Sequence, residues 1–232
     1  MTRAVLALMR KDMRLCRNSA LVQALLLGLL LIFVFSLAQE VGEVFRPQGA
    51  AAVFWLASAF CQVLVFNMLY SLEEANGARA GLLLLPCPVQ AVWLGKALTG
   101  LALLLTAQAA FLPAAMVFLG QDVALGHWQP PAMVLAADVG MAALGSLLGA
   151  LGQGAAGGGA GRESLLSVVL FPLLIPLLLA AIRICSAAFA PAADAAGILE
   201  GAQNWFGVAL AFDALFLAAG LVLFPFVYAG DE

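Results

Sequence analysis

Charge is scarce in this chain. Its 232 residues include only ten Lys or Arg and thirteen Asp or Glu, 10% in all, where soluble domains carry about 25%. That excludes an ordinary water-soluble domain. A net charge of -3 gives nucleic acid nothing to bind. Four cysteines occur, Cys16, Cys61, Cys87 and Cys185, and none forms a C-x-x-C pair. A metal knuckle, a thioredoxin-type site and a haem-attachment motif are thereby excluded. Cys61 and Cys185 read instead as small apolar residues. Lysine is missing after the glycine run GQGAAGGGAG, Gly152 to Gly161, where Arg162 and Glu163 follow. A phosphate-binding loop needs that lysine, so the run reads as a flexible connector, and any ATP hydrolysis belongs to a separate protein chain. Intramembrane protease motifs are missing as well. Gly145-Ser146 is not a Gly-x-Ser motif, and Ala137-Asp138-Val139-Gly140 is not an aspartyl-protease motif. No catalytic residue and no metal-ligand set is assigned.

Hydrocarbon fills the space that charge leaves. Hydrophobic residues make up 65% of the chain, and mean hydropathy is +1.07. A spanning helix needs about 20 mainly apolar residues. Six segments qualify: 21–38, 51–70, 97–119, 132–151, 164–183 and 206–228. The runs are continuous rather than alternating, which favours helices over a barrel. The first run, Leu21 to Ala38, is 18 residues long. A cleaved signal has an apolar core of about 7–15 residues, so this run is expected to stay as a span. No repeat with a solenoid period is visible. The expectation is an all-α integral membrane protein forming one domain over residues 1–232.

Basic residues set the orientation. Five lie in the N-terminal tail, Arg79 and Lys96 between spans two and three, and Arg162 between spans four and five, eight on one side. The other side has Arg46 and the border residue Arg183. Both termini and the 71–96 segment are therefore expected in the cytoplasm. Residues 1–20 read as an interfacial helix. Arg3, Arg10, Arg14 and Arg17 share one face, and Val5, Met9, Met13 and Cys16 line another. That pattern suits the inner headgroup region.

The segment SLEEANGARAGLLLLPCPVQAVWLGK, Ser71 to Lys96, interrupts the hydrocarbon. Glu73, Glu74 and Arg79 fit a short helix outside the membrane, and Leu82 to Leu85 add an apolar surface. Pro86 and Pro88 stop a helix there. A charged helix with an apolar flank, tied to two spans, is suited to take force from a cytoplasmic partner. A plain solvated connector is the alternative. Deeper features stand out too. Pro172 and Pro176 lie four apart in span five, as a hinge or a static kink. Asp138 and Asp213 lie within spans four and six, where an acid must face protein or water. Asp138 shares a face with Ala142, Gly145 and Gly149, a stripe that permits close helix contact, and Arg183 is its candidate partner. His127, beside Trp128 in an outer loop, is a candidate haem contact. A lone histidine is more often no ligand at all.

Three stretches resemble one family. The order Glu73/Glu74, Gly77, Leu82 and Leu83 through Leu85, Pro86 and Gly95-Lys96 resembles the coupling region of six-span ABC exporter permeases. MRKDMRLCRNSA (Met9 to Ala20), LLLLPCPVQAVWLGKAL (Leu82 to Leu98) and RESLLSVVLFPLLIPLLLAA (Arg162 to Ala181) resemble, more closely, the CcmB family, the haem exporter permeases of cytochrome c maturation. The length and six-span layout agree across the whole chain. The Gly-rich fourth loop and the intramembrane acids depart from the family pattern. The resemblance implies an ABC-2-like permease fold with a cytoplasmic coupling helix at 71–96, in a bacterial inner membrane. It implies four kinds of partner. One is a separate ATPase that carries the ATP, as two copies with two copies of this chain. The others are a haem-handling membrane protein, a small companion protein beside it, and a periplasmic haem chaperone. ATP hydrolysis would then drive haem delivery or release of the loaded chaperone, with haem held by the partners. Another exporter cargo, such as a lipid, polysaccharide or drug, is the alternative.

Overall fold

The computed structural model describes residues 2–16, 20–38, 45–75, 81, 88–123, 126–154 and 160–229, with backbone alone for 74–75, 153–154, 160–167 and 229. Seven long helices account for nearly all of it: α1 (Thr2–Cys16), α2 (Ala20–Leu37), α3 (Pro47–Ala75), α4 (Val89–Phe118), α5 (Gln129–Gly154), α6 (Ala160–Cys185) and α7 (Ala192–Ala229). A single 3₁₀ turn, Ser186–Ala188, follows α6. Among the described residues there is no strand. Six helices, α2 to α7, are long and apolar enough to cross a membrane, which is the number expected from hydropathy.

Five helices are longer than the apolar runs suggest, α3, α4 and α7 most of all. Pro47 opens α3, where its missing N–H costs nothing. Lys96 lies inside α4 and not at its edge, because the helix begins at Val89. The stretch expected as a loop before span six is helical too, and α7 runs 38 residues, about 57 Å at 1.5 Å per residue. Its first turns explain themselves. Ala195, Leu199 and Ala202 are buried at helical spacing, while Asp194, Glu200, Gln203 and Asn204 are exposed. Small residues on one face let this polar stretch pack on the bundle as an amphipathic helix. Hydropathy alone does not register it.

α3 and α5 form the enclosed centre, and α2 and α7 lie at the margin. Large apolar side chains cover the outside, including Leu26, Leu30 and Leu37 on α2, Ile175 on α6, and Val222 and Phe226 on α7. Water would not tolerate such a surface; lipid tails do. The interior packs by fitting rings against glycines. Phe66 of α3 occupies the space left by Gly100 of α4 and Gly145 of α5, and Tyr70, one turn on, lies against Gly149. The expected small-residue stripe on α5 thus lets α3 approach, as small residues do between membrane helices. Pro172 and Pro176 sit within one continuous α6, and Pro113 and Pro225 likewise lie inside α4 and α7.

Candidate functional site

Charge is concentrated where α1 meets the ends of three spans. Lys96 of α4 is 1% exposed and Glu73 of α3 is 3% exposed. Their Nζ and Oε2 atoms are 2.7 Å apart. Position in the chain explains the meeting. Glu73 is three residues past Tyr70 and Lys96 three past Trp93, so each shares a face with a buried aromatic. The Lys96 ammonium lies 4.3 Å from the centre of the Tyr70 ring. Glu73 is also held from two other helices. Lys11 of α1 donates to its Oε1 at 3.3 Å, and Tyr228 of α7 donates to its Oε2 at 3.3 Å. Lys11 in turn lies 3.0 Å from Asp12 Oδ1.

Two acids and two ammonium groups balance in this cluster. Balance matters because an ion moved out of water costs several kcal/mol, offset only by a well-placed partner. Hydrogen bonds extend the cluster into α5. Tyr70 donates to the carbonyl of Ser146 at 2.5 Å, and the Ser146 hydroxyl donates to the Trp93 carbonyl at 3.3 Å. Trp93 lies against Gly220 of α7. Five helices, α1, α3, α4, α5 and α7, are therefore joined at one end of the bundle.

α1 reaches the cluster through its buried face. Val5, Leu8, Asp12 and Cys16 are buried at helical spacing, and Leu8 and the Val5 carbonyl lie against Gly95 of α4. Burial pushes the Lys11 pKa down, but Asp12 and Glu73 outweigh it and hold the group above the ordinary value of 10.5. Burial, with help from Asp12, pushes the Cys16 thiol up to about 11.

The structure corrects one expectation about the coupling segment. Glu73 was expected to present its carboxylate to a cytoplasmic partner. It is turned inward, because two lysines and a tyrosine of the same chain converge on it. Gly77, Arg79, Leu82, Leu83 and Pro86 lie outside the described residues, as does the side chain of Glu74. The cluster thus joins the end of α3 to α4 about two turns past its start, the two helices that flank this segment. Lys11, Asp12 and Tyr228 were not anticipated. One signal was available: Asp12 is the lone acid in a basic helix, beside a lysine.

A second polar group lies within the spans. Asp138 of α5 is fully buried and accepts a hydrogen bond from Gln108 Nε2 at 2.8 Å. The same nitrogen lies 3.3 Å from Ser58 Oγ. One turn along α3, Gln62 donates to the Met141 carbonyl at 2.6 Å. The expected pairing of Asp138 with Arg183 does not form. Arg183 instead lies over the Trp205 ring, 6.0 Å from its centre, because α7 extends far enough outward to offer that tryptophan. Asp213 packs on the backbone of α5 at Gly140. Asp138 and Asp213 thus have different neighbours, Gln108 for one and the Gly140 backbone for the other. His127 is half-buried, and Trp128 meets Phe206 edge-on. Among the described residues no group of three His, Cys, Asp or Glu gathers to hold a metal ion.

An apolar cavity of about 350 Å³ opens near the start of α5, lined by residues including Phe54, Leu112, Val134 and Phe189, with Gln108 in its wall. Comparison with known protein families gives one finding. The family model described as CcmB protein matches residues 3–230. No curated protein matches the chain.

Proposed function

The chain belongs to the CcmB family, membrane components of the ABC transporter of haem handling and cytochrome c maturation, and we propose that it is the component through which a separate ATPase drives that system. One observation carries the proposal. The two helices that flank the 76–88 segment are locked by Glu73 and Lys96, and Glu73 also holds α1 and α7. A push on that segment would be delivered to four helices at once rather than absorbed by a loop. Packed helices of this kind switch between discrete arrangements instead of bending smoothly.

In this reading the ATPase docks on the cytoplasmic face at 76–88, as two copies on two copies of this chain in a bacterial inner membrane. Both termini face the cytoplasm. Haem is held by the haem-handling partner and its small companion, and the stroke releases the haem-loaded chaperone on the outer face. The test uses Leu82→Ser with Leu83→Ser in the intact complex. Membrane insertion should persist. ATP hydrolysis should no longer be matched by cytochrome c maturation, and loaded chaperone should accumulate. Normal cytochrome c at matched expression would defeat the proposal.

A further inference from the structure

The exposed side of α1 has a chemistry that the buried cluster does not use. At about 100° per residue, Arg3, Arg10 and Arg14 fall together, nearly opposite the buried stripe of Val5, Leu8, Asp12 and Cys16. All three arginines are exposed. Beside them Leu6 is 51% exposed, with Met9 and Met13 half-buried. The helix is thus built in three faces: one on the bundle, one apolar and open, one basic and open. α1 lies at the level where α3 ends, since its Lys11 pairs with Glu73, which Lys96 of α4 and Tyr228 of α7 also hold. At that level the open apolar face meets acyl chains and the basic face meets headgroups. Arginine suits that task, because its planar fork matches a phosphate in two-point contact.

We propose that α1 binds anionic phospholipid headgroups through Arg3, Arg10 and Arg14, and that this contact is felt directly by the Lys11–Asp12–Glu73–Lys96 cluster on its other side. The sequence places the two functions in register. Arg10 and Arg14 bracket Lys11 and Asp12, within a single turn of helix. The seat of α1 also leaves room for movement. A cavity of about 180 Å³ lies between α1 and α3, lined by residues including Asp12, Cys16, Leu72 and Glu73. Headgroup charge draws α1 toward the bilayer, and the ion pairs carry that pull to the end of α3. The proposal goes beyond the transport reading and does not depend on it.

The probe is a nanodisc holding the full chain, made either of phosphatidylcholine alone or of phosphatidylcholine mixed with phosphatidylglycerol. Each basic residue near an anionic surface contributes roughly a fivefold preference, so three give on the order of a hundredfold. Amide hydrogen exchange is read over α1 and over residues 71–75. The anionic disc should slow exchange in both segments at low salt, and high salt should erase the effect. Arg3→Gln with Arg10→Gln and Arg14→Gln, all at exposed positions, should exchange alike in both discs while the rest of the bundle is unchanged. Equal exchange of the unaltered chain in the two discs would overturn the proposal. So would protection of α1 that appears only when the ATPase is added, which would make the basic face a protein contact. Slowing confined to α1, without residues 71–75, would refute the transmission to the cluster.

Discussion

Replacing Lys96 by methionine tests whether the buried cluster is a linked unit. The change keeps chain length and removes one charge. Glu73 is then left with Lys11 at 3.3 Å and the Tyr228 hydroxyl at 3.3 Å. Breaking a buried pair from one side typically costs about 3–5 kcal/mol. Lys11 remains as a counter-charge, so Lys96→Met should fall near the lower end, about 3 kcal/mol. Glu73→Met should fall near the upper end, about 5 kcal/mol. It strands an ammonium that is 1% exposed, with the Tyr70 ring as its remaining neighbour of note. That ring contact offsets about 2 kcal/mol of it.

The double variant decides the matter. Removing both charges leaves two apolar side chains of similar volume, and such replacements are often neutral or better. Lys11 keeps Asp12 at 3.0 Å. The double variant should therefore lie within about 1 kcal/mol of the unaltered protein. The cycle should return a coupling of about 7 kcal/mol, well above the roughly 0.5–3 kcal/mol usual for contacting residues. Unfolding in mild detergent, followed by tryptophan fluorescence, supplies the numbers. Losses that simply add in the double variant would refute the reasoning, because they would show that the two charges do not sense each other. Cytochrome c maturation is the second readout. A double variant that is stable yet inactive would separate the role of the pair in transmission from its role in folding.

Other outcomes follow from the same contacts. Gly145→Ala and Gly149→Ala should each cost about 1–3 kcal/mol by overpacking, because a Cβ at either would overlap Phe66 or Tyr70; detergent unfolding at or above the unaltered midpoint would refute this. The Lys11 pKa is raised above 10.5, so its stabilisation is fully present below that value and is lost as pH rises through the folded pKa; the midpoint difference between the unaltered chain and Lys11→Met should shrink only in strongly alkaline buffer. Cys16, held up to about 11, should react with maleimide far more slowly than a free thiol at neutral pH, with labelling rising as pH nears that value. Asp138→Asn can still accept from Gln108 and should preserve assembly on size-exclusion chromatography, whereas Asp138→Lys brings an unpaired cation into the bundle and should not.

Span number and fold class were legible because both rest on hydropathy summed over long windows, where single residues hardly matter. The Gly145/Gly149 stripe was legible for a similar reason, since small residues at helical spacing permit one thing above all, close approach. Helix ends were not. Val89 to Lys96 and Ala192 to Trp205 are too polar or too small for a hydropathy window, yet α4 and α7 extend through them by packing one narrow face. Asp138 with Arg183 failed for a different reason. One lies within a span and the other at a span border, and opposite charges invite pairing, but the extended α7 brings Trp205 to the arginine and α4 brings Gln108 to the acid. Depth along a span fixes one coordinate; the partner is fixed by the other two.

Glu73 shows how far that limit reaches. Read along the chain, an acid just past an apolar run belongs to the water. Read in space, it lies where four helices converge, and the two lysines nearest it were counted as markers of the cytoplasmic side. That count survives the discovery of their partners. Topology follows the number of Lys and Arg near the span ends, to which acids contribute little, so pairing leaves the expected cytoplasmic placement of Lys11 and Lys96 unchanged. Pairing alters a different quantity, the charge left to meet other molecules. With Lys11 and Lys96 charge-paired to Asp12 and Glu73, the described basic side chains of α1 that stay exposed are its arginines. The residues expected to orient the protein and those that hold it together overlap at Lys11 and Lys96, and those expected to orient it and those proposed to meet headgroups overlap at Arg3, Arg10 and Arg14. On α1 both roles meet, Lys11 at the edge of its buried face and Arg3, Arg10 and Arg14 on its exposed face.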